Sequence, residues 1–244
     1  MEIPIRDVSF NQVLEDTSLI FLQLEAKNPT ETFLPQSIKN HYLRTLNQIL
    51  FFSAKENDFS VESFLQFSLF LSCIIKSTLY FHYCFDHSIK EPDTKLALMF
   101  GDLYLVKGGE QLVKIKNFLR LHPSFRELLY SISMSQRFQG DSKEMKQHDF
   151  EKIVKMSYGY IFRFALLAPY IWKKNPLPDK RKLTFLARDM SLFLAWQVEP
   201  FLHAKEKNPD LIKKLHQQIV ENLGEENYVQ YHFDGWKEYI QKNT

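Results

Sequence analysis

Glycine is scarce in this sequence: seven residues in 244, beside ten prolines and two cysteines. Glycine-loop nucleotide folds and turn-rich β-sandwiches need far more, so the scarcity argues against both. Charge of one sign is scarce too. Thirty-one Lys+Arg offset 29 Asp+Glu, leaving a formal net charge of +2. That balance excludes a nucleic-acid binder built on a broad basic field. No long single-sign tail is present to keep the chain disordered. Cys73 and Cys84 lie eleven residues apart in what reads as one helix. Their separation of about 16 Å along that helix forbids a bridge between them within it. They read as buried free thiols, and a cytoplasmic location is the expectation. The N-terminus, MEIPIRDVSF, has neither the basic start nor the apolar core of a signal peptide, and none is expected.

One apolar run approaches the length of a membrane span, FLQFSLFLSCIIKSTLYFHYCF at residues 64–85. Lys76 and His82 interrupt it, and a central lysine is costly in lipid. The run is therefore expected at the middle of a large helical bundle, with membrane contact at most peripheral. Aromatic residues are abundant, with 22 Phe and 11 Tyr. They imply wide apolar interfaces or a greasy cavity. A chain of this length buries roughly 70% of its unfolded surface and needs no covalent staples.

Helical punctuation recurs along the chain, and no segment alternates at period two. The expectation is an all-α, single-domain bundle of eight or nine helices spanning 1–244. A first amphipathic stretch carries Val13, Leu14, Ile20, Phe21 and Leu24. Pro35 opens a second, with Ile38, Tyr42, Leu43, Leu46, Ile49 and Leu50 at helical spacing. Ser60, or else Asp58, caps the long apolar helix, which ends near Asp86. The next runs from 92–94 to Leu119, and another from Pro123 to Met134 or Phe138. Gln139, Gly140 and Asp141 read as a break. A helix from Asp149 to Trp172 follows. Asp179 caps a helix over 182–204. Pro209 opens another ending near Gly224, and 225–242 reads as a last short one.

Chemistry is harder to find. The eight histidines are scattered, and no GxSxG or Walker-type loop is present. His82 and Asp86, at i and i+4, form either a metal or diphosphate site at the end of the apolar helix or a satisfied polar pair. Gly108 and Gly109 sit within helical periodicity, where each costs about 1 kcal/mol against alanine. That cost implies close helix packing there, with a subunit interface as one place for it.

The order of three segments carries a family resemblance. Tyr80-Phe81-His82-Tyr83-Cys84-Phe85-Asp86 is followed by a short polar loop and then Leu98-Met99-Phe100-Gly101-Asp102-Leu103-Tyr104-Leu105. Further on come Arg137-Phe138-Gln139-Gly140-Asp141 and the lysine-containing stretch Ile153–Phe162. Over residues 60–172 the chain resembles the trans-isoprenyl diphosphate synthase superfamily. That resemblance implies an all-helical fold of the isoprenoid synthase type.

The departures from the family pattern matter as much. Active members hold magnesium on two aspartate clusters. Here the first shrinks to Asp86, and the second, expected near 193–202, keeps only Glu199. The arginine pair that follows the first cluster in the family is missing, and only Lys90 and Lys95 lie nearby. The chain is therefore most similar to the non-catalytic small subunit, component I, of heptaprenyl diphosphate synthases. On that likeness it carries no catalytic residue, metal ligand or cofactor of its own. Mg2+ is expected in a catalytic large subunit with which it elongates a prenyl chain for quinone synthesis. Gly101 and Asp102 are the retained motif. Phe67, Phe70, Leu71, Ile74, Leu79 and Tyr83 would line a chain groove or simply form core. The helix from Gly101 to Leu119 would make the dimer contact. The alternatives are a stand-alone prenyl-diphosphate-using or terpene-synthase-like enzyme with His82, Asp86, Asp102 and Glu199 on metal, or a homodimeric isoprenoid-binding protein.

Overall fold

The computed structural model describes residues 3–13, 36–84, 93–141, 146–198 and 209–223. Eight α-helices lie among them: α1 Gln36–Glu56, α2 Val61–Cys84, α3 Asp93–Lys114, α4 His122–Asp141, α5 Gln147–Met156, α6 Tyr158–Lys173, α7 Lys180–Val198 and α8 Pro209–Leu223. The described residues hold no strand, only an isolated bridge between Pro4 and Ser60. The all-α expectation holds. The stretches 14–24 and 225–242, read from the sequence as helices, lie outside the described residues.

Helix α2 is the hub, packed against α1, α3, α4 and α6. Every residue from Leu71 to Tyr80 is buried, so the helix is enclosed on all sides. By length and composition it alone, among the described helices, is apolar enough to cross a membrane, yet 78% of its apolar window is buried inside the bundle. Three of its buried hydroxyls find partners, whereas Ser72 Oγ has none among the described residues. Ser77 Oγ donates to the Gly101 carbonyl at 2.8 Å, Thr78 Oγ1 to the Ile74 carbonyl at 3.0 Å, and Ser68 Oγ to Asn47 Oδ1. Lys76 is fully buried, with its ammonium 5.0 Å from the centroid of the Tyr104 ring. Ser60 supplies the N-cap of α2, its hydroxyl accepting from the Ser63 N–H at 3.2 Å. Asp58 sits in the preceding turn at φ 50 instead. Residues 3–5 close over this turn, with Ile5 N–H on the Phe59 carbonyl and Val61 N–H on the Ile3 carbonyl.

Helices α2 and α3 form an antiparallel pair in which small residues face large ones. A Cβ on Gly101 would lie 2.8 Å from the Phe81 ring, and one on Gly108 would lie 2.9 Å from Ile74 Cδ1. Both pairs are spaced by seven residues, two turns of helix, so the two glycines share one inward stripe. The close packing expected at Gly108 and Gly109 thus belongs to Gly108 alone and is made within the chain. A Cβ on Gly109 would meet nothing within 4 Å. Gly109→Ala is therefore expected to gain about 1 kcal/mol of helix propensity. Thermal unfolding of the isolated chain should shift up by about 2–4 °C. An unchanged or lower Tm would mean that α3 bends at this glycine.

Three helix boundaries differ from the sequence expectation. Helix α3 stops at Lys114, because Asn117 turns the chain through a left-handed conformation, φ 58, into a short 3-10 turn at Phe118–Leu121. Helix α4 runs through the expected break to Asp141, and Gln139 is buried with its amide Nε2 donating to the His82 carbonyl at 3.3 Å. That tertiary contact holds the last turn in place. The helix expected over 149–172 is two helices, interrupted at Ser157 (φ −96, ψ −84), whose hydroxyl donates to the Ile153 carbonyl at 2.8 Å. Within α6, Pro169 removes one backbone donor. The carbonyl of Leu166, three residues back, accepts the Ser53 hydroxyl of α1 at 2.7 Å. Asp179 caps α7 as expected, taking the N–H groups of Arg181 and Lys182 at 2.8 and 3.2 Å, and α8 opens at Pro209.

Candidate functional site

Two regions bear on function, one inside the bundle and one outside. The inner one lies where the last turn of α2 meets α4 and α6. His82 is 2% exposed there, with its ring edge-on to Tyr158 at 5.0 Å between centroids. Tyr42 of α1 packs on the other side of that pairing, 4.3 Å from Tyr158. Neither His82 ring nitrogen nor Gln139 Oε1 has a hydrogen-bond partner among the described residues. Burial pushes the His82 pKa down to about 3, so the imidazole is neutral at physiological pH. The unfolded chain binds a proton there near pH 6.5. Between those two values the unfolded state holds more protons, so stability rises with pH and is lost as pH falls. The expected loss is about 1.6 kcal/mol in total on going from pH 6.5 to 5. His82→Phe should flatten that part of the profile. Equal slopes in chemical denaturation of both proteins would show that the folded state admits the imidazolium.

A neutral, buried imidazole among aromatic rings is a poor partner for magnesium, which prefers oxygen ligands. Among the described residues no three His, Cys, Asp or Glu side chains come together to hold a metal ion. His82 and Asp102 do not converge. Gly101 turns inward to Phe81, whereas its neighbour Asp102 is exposed on the far side of α3. Asp86 and Glu199, the other two ligands of the stand-alone enzyme reading, lie outside the described residues. The described residues of this chain do not fit a magnesium cluster.

The residues proposed to line a chain groove divide. Phe67, Phe70, Leu71, Ile74 and Leu79 are buried in the core, and Tyr83 packs against its edge. Phe67 meets the rings of Phe59 and Trp172, and Phe70 those of Phe125 and Phe164. Cys73 is a buried free thiol with its pKa pushed up to about 11 by burial. One acid was missed in the sequence. Asp189 on α7 is half-buried, and burial raises its pKa while Lys155 and Arg188 pull it back down. Its signal was an aspartate set among the apolar residues Leu186, Met190 and Leu192.

The outer region is the solvent face of α3. Seven of the eleven large hydrophobic side chains exposed among the described residues fall between positions 98 and 119: Leu98, Met99, Leu103, Leu105, Val106, Val113 and Leu119. Met99, Val106 and Val113, seven residues apart, are 66%, 61% and 62% exposed. With Asp102 and Gly109 between them they follow the 3–4 spacing of a packing seam. The stripe results from the inward glycines. Helix α3 turns Gly101 and Gly108 toward α2, with Phe100, Tyr104 and Leu112 also buried, and leaves Met99, Val106 and Val113 outside. An apolar stripe of this kind on a folded chain is a candidate interaction surface.

No family model matches the chain, and no curated protein matches it. Among solved structures it is similar to the small subunit of geranyl diphosphate synthase from Antirrhinum majus. That likeness has a TM-score of 0.56 at 13% identity, over 88% of this chain and 93% of that one. It is also similar to a heterotetrameric geranyl pyrophosphate synthase of mint, a deletion mutant in complex with ligands, with a TM-score of 0.53 at 13% identity over 88% and 92%. The bundle therefore has the isoprenoid-synthase type of helical fold.

Proposed function

We propose that this chain is a non-catalytic small subunit of a heteromeric prenyl diphosphate synthase, covering the outer face of α3 with a catalytic partner. The observation that carries the reading is the exposed aliphatic stripe from Met99 to Val113 on a chain of this fold. The likeness to a geranyl diphosphate synthase small subunit supports it. In this reading Mg2+, both diphosphates and all bond-making belong to the partner, and this chain shapes the assembly. The sequence resemblance to component I of heptaprenyl diphosphate synthase further favours a medium-chain product that supplies a quinone side chain, made in the cytoplasm.

The test is co-expression with a helical prenyl synthase from the same genome that carries both aspartate-rich motifs. The two chains should co-purify, and elongation of an allylic diphosphate with isopentenyl diphosphate should require both. Full activity of the synthase without this chain, together with no complex, would end the proposal. Magnesium-dependent turnover by this chain alone would instead assign the chemistry to it.

A further inference from the structure

The α3 face carries information about which partner it takes, through two carboxylates set into the apolar stripe. Asp102 and Glu110 are both exposed, and neither has an ion pair or hydrogen bond among the described residues. They lie eight residues apart, about 12 Å along the helix. Both flank Val106, the middle residue of the stripe, at four residues on either side. Covering the stripe brings both acids into an interface, and a carboxylate desolvated without a cation is costly.

A second copy of this chain supplies the wrong charges. A two-fold axis through Val106 with antiparallel helices sets Met99 on Val113 of the copy, which is favourable. The same operation sets Asp102 on Glu110 of the copy, twice. A parallel two-fold pairing sets Asp102 on Asp102 and Glu110 on Glu110. Sliding the copy to bring Lys95 over Glu110 moves the axis to between Asp102 and Leu103. Val113 then faces position 92, which lies outside the α3 helix that starts at Asp93. The two arrangements that keep Val106 on Val106 of the copy meet acid with acid.

We infer that Asp102 and Glu110 make the α3 face reject a second copy of this chain. The face selects a helical partner with an apolar seam and two cationic side chains about 12 Å apart. The inference rests on the docking role proposed for α3 and adds the chemistry of the partner's surface. Like charges opposed across an interface penalise the wrong partner, and complementary ones fix register.

Two experiments on the full chain test it without requiring that the partner be a prenyl synthase. In sedimentation over a concentration series, Asp102→Asn with Glu110→Asn should strengthen self-association at least tenfold over the native protein. Adding Val106→Glu to that variant should reverse the gain and so locate it on α3. A native homodimer as tight as that of the double variant would overturn the inference. The second experiment uses two synthetic amphipathic helices with the same apolar seam, one with lysines eight residues apart and one with glutamates there. The lysine helix should bind the native chain at least tenfold more tightly, and the preference should vanish in the double variant. Equal binding of the two helices, or binding by neither, would overturn the inference. Failure to capture any synthase while the lysine preference holds would remove the proposed enzyme complex and leave the partner chemistry standing.

Discussion

Phe70→Ala is expected to destabilise the protein by about 3–5 kcal/mol, the range for emptying a fully enclosed phenylalanine site. Phe70 is 0% exposed and held edge-on between Phe125 of α4 and Phe164 of α6, at 5.4 and 5.8 Å. Removing its ring deletes a contact between three helices at once. Chemical denaturation of the isolated chain is the measurement. The variant also separates two roles for the aromatic residues of α2. A core residue costs stability wherever the protein is measured. A residue lining a groove for a growing prenyl chain would cost little stability and shift the products of the proposed enzyme assembly. A loss below about 1 kcal/mol would be incompatible with the packing cost of an enclosed ring.

On the docking role proposed for α3, Val106→Glu combined with Val113→Glu is expected to weaken partner binding at least about 100-fold, which corresponds to losing hot-spot contacts worth about 3 kcal/mol. Both side chains are more than half exposed in the free chain. The substitutions should therefore leave its Tm within about 2 °C, since exposed positions away from special features shift stability little. The contrast between the two readouts is the prediction. In a pull-down and a coupled synthase assay the double variant should behave as though this chain were absent. Normal complex formation would move the interface away from α3, and a collapsed Tm would mean that the stripe is held inside the folded chain.

Much of the fold is legible in the amino-acid order because its signals are local. The long apolar run at 64–85, broken only by small polar residues, Lys76 and His82, declares a buried helix, and Asp179, Ser60 and Pro209 mark helix starts through side-chain or ring geometry that acts within three residues. The missed features are tertiary. Nothing near Gln139 announces that its amide reaches the His82 carbonyl and holds the last turn of α4 in place. The interruption at Ser157 depends on how α6 packs against α7, where a Cβ on Gly159 would come within 3.3 Å of Ser191 Oγ.

The candidate site was half legible for the same reason. Asp102 follows Gly101 in a recognisable motif, but only the packing of α2 shows that the pair splits, glycine inward and acid outward. Hydrophobicity along α3 could not rank its faces, because glycine faces the core and valine faces water. The dimer contact expected on the helix from Gly101 to Leu119 is a proposal for the outer face of α3, which ends at Lys114. The inner polar end at His82 is a neutral ring in the core.

The inside-out arrangement of α3 bears on the life of the chain in the cell. A surplus copy, synthesised faster than whatever covers α3, carries a greasy seam that quality-control machinery is built to find. On the docking role proposed for α3, its abundance follows the supply of that partner more than its own rate of synthesis, and expression in isolation should give low yields that recover when the partner is made in step.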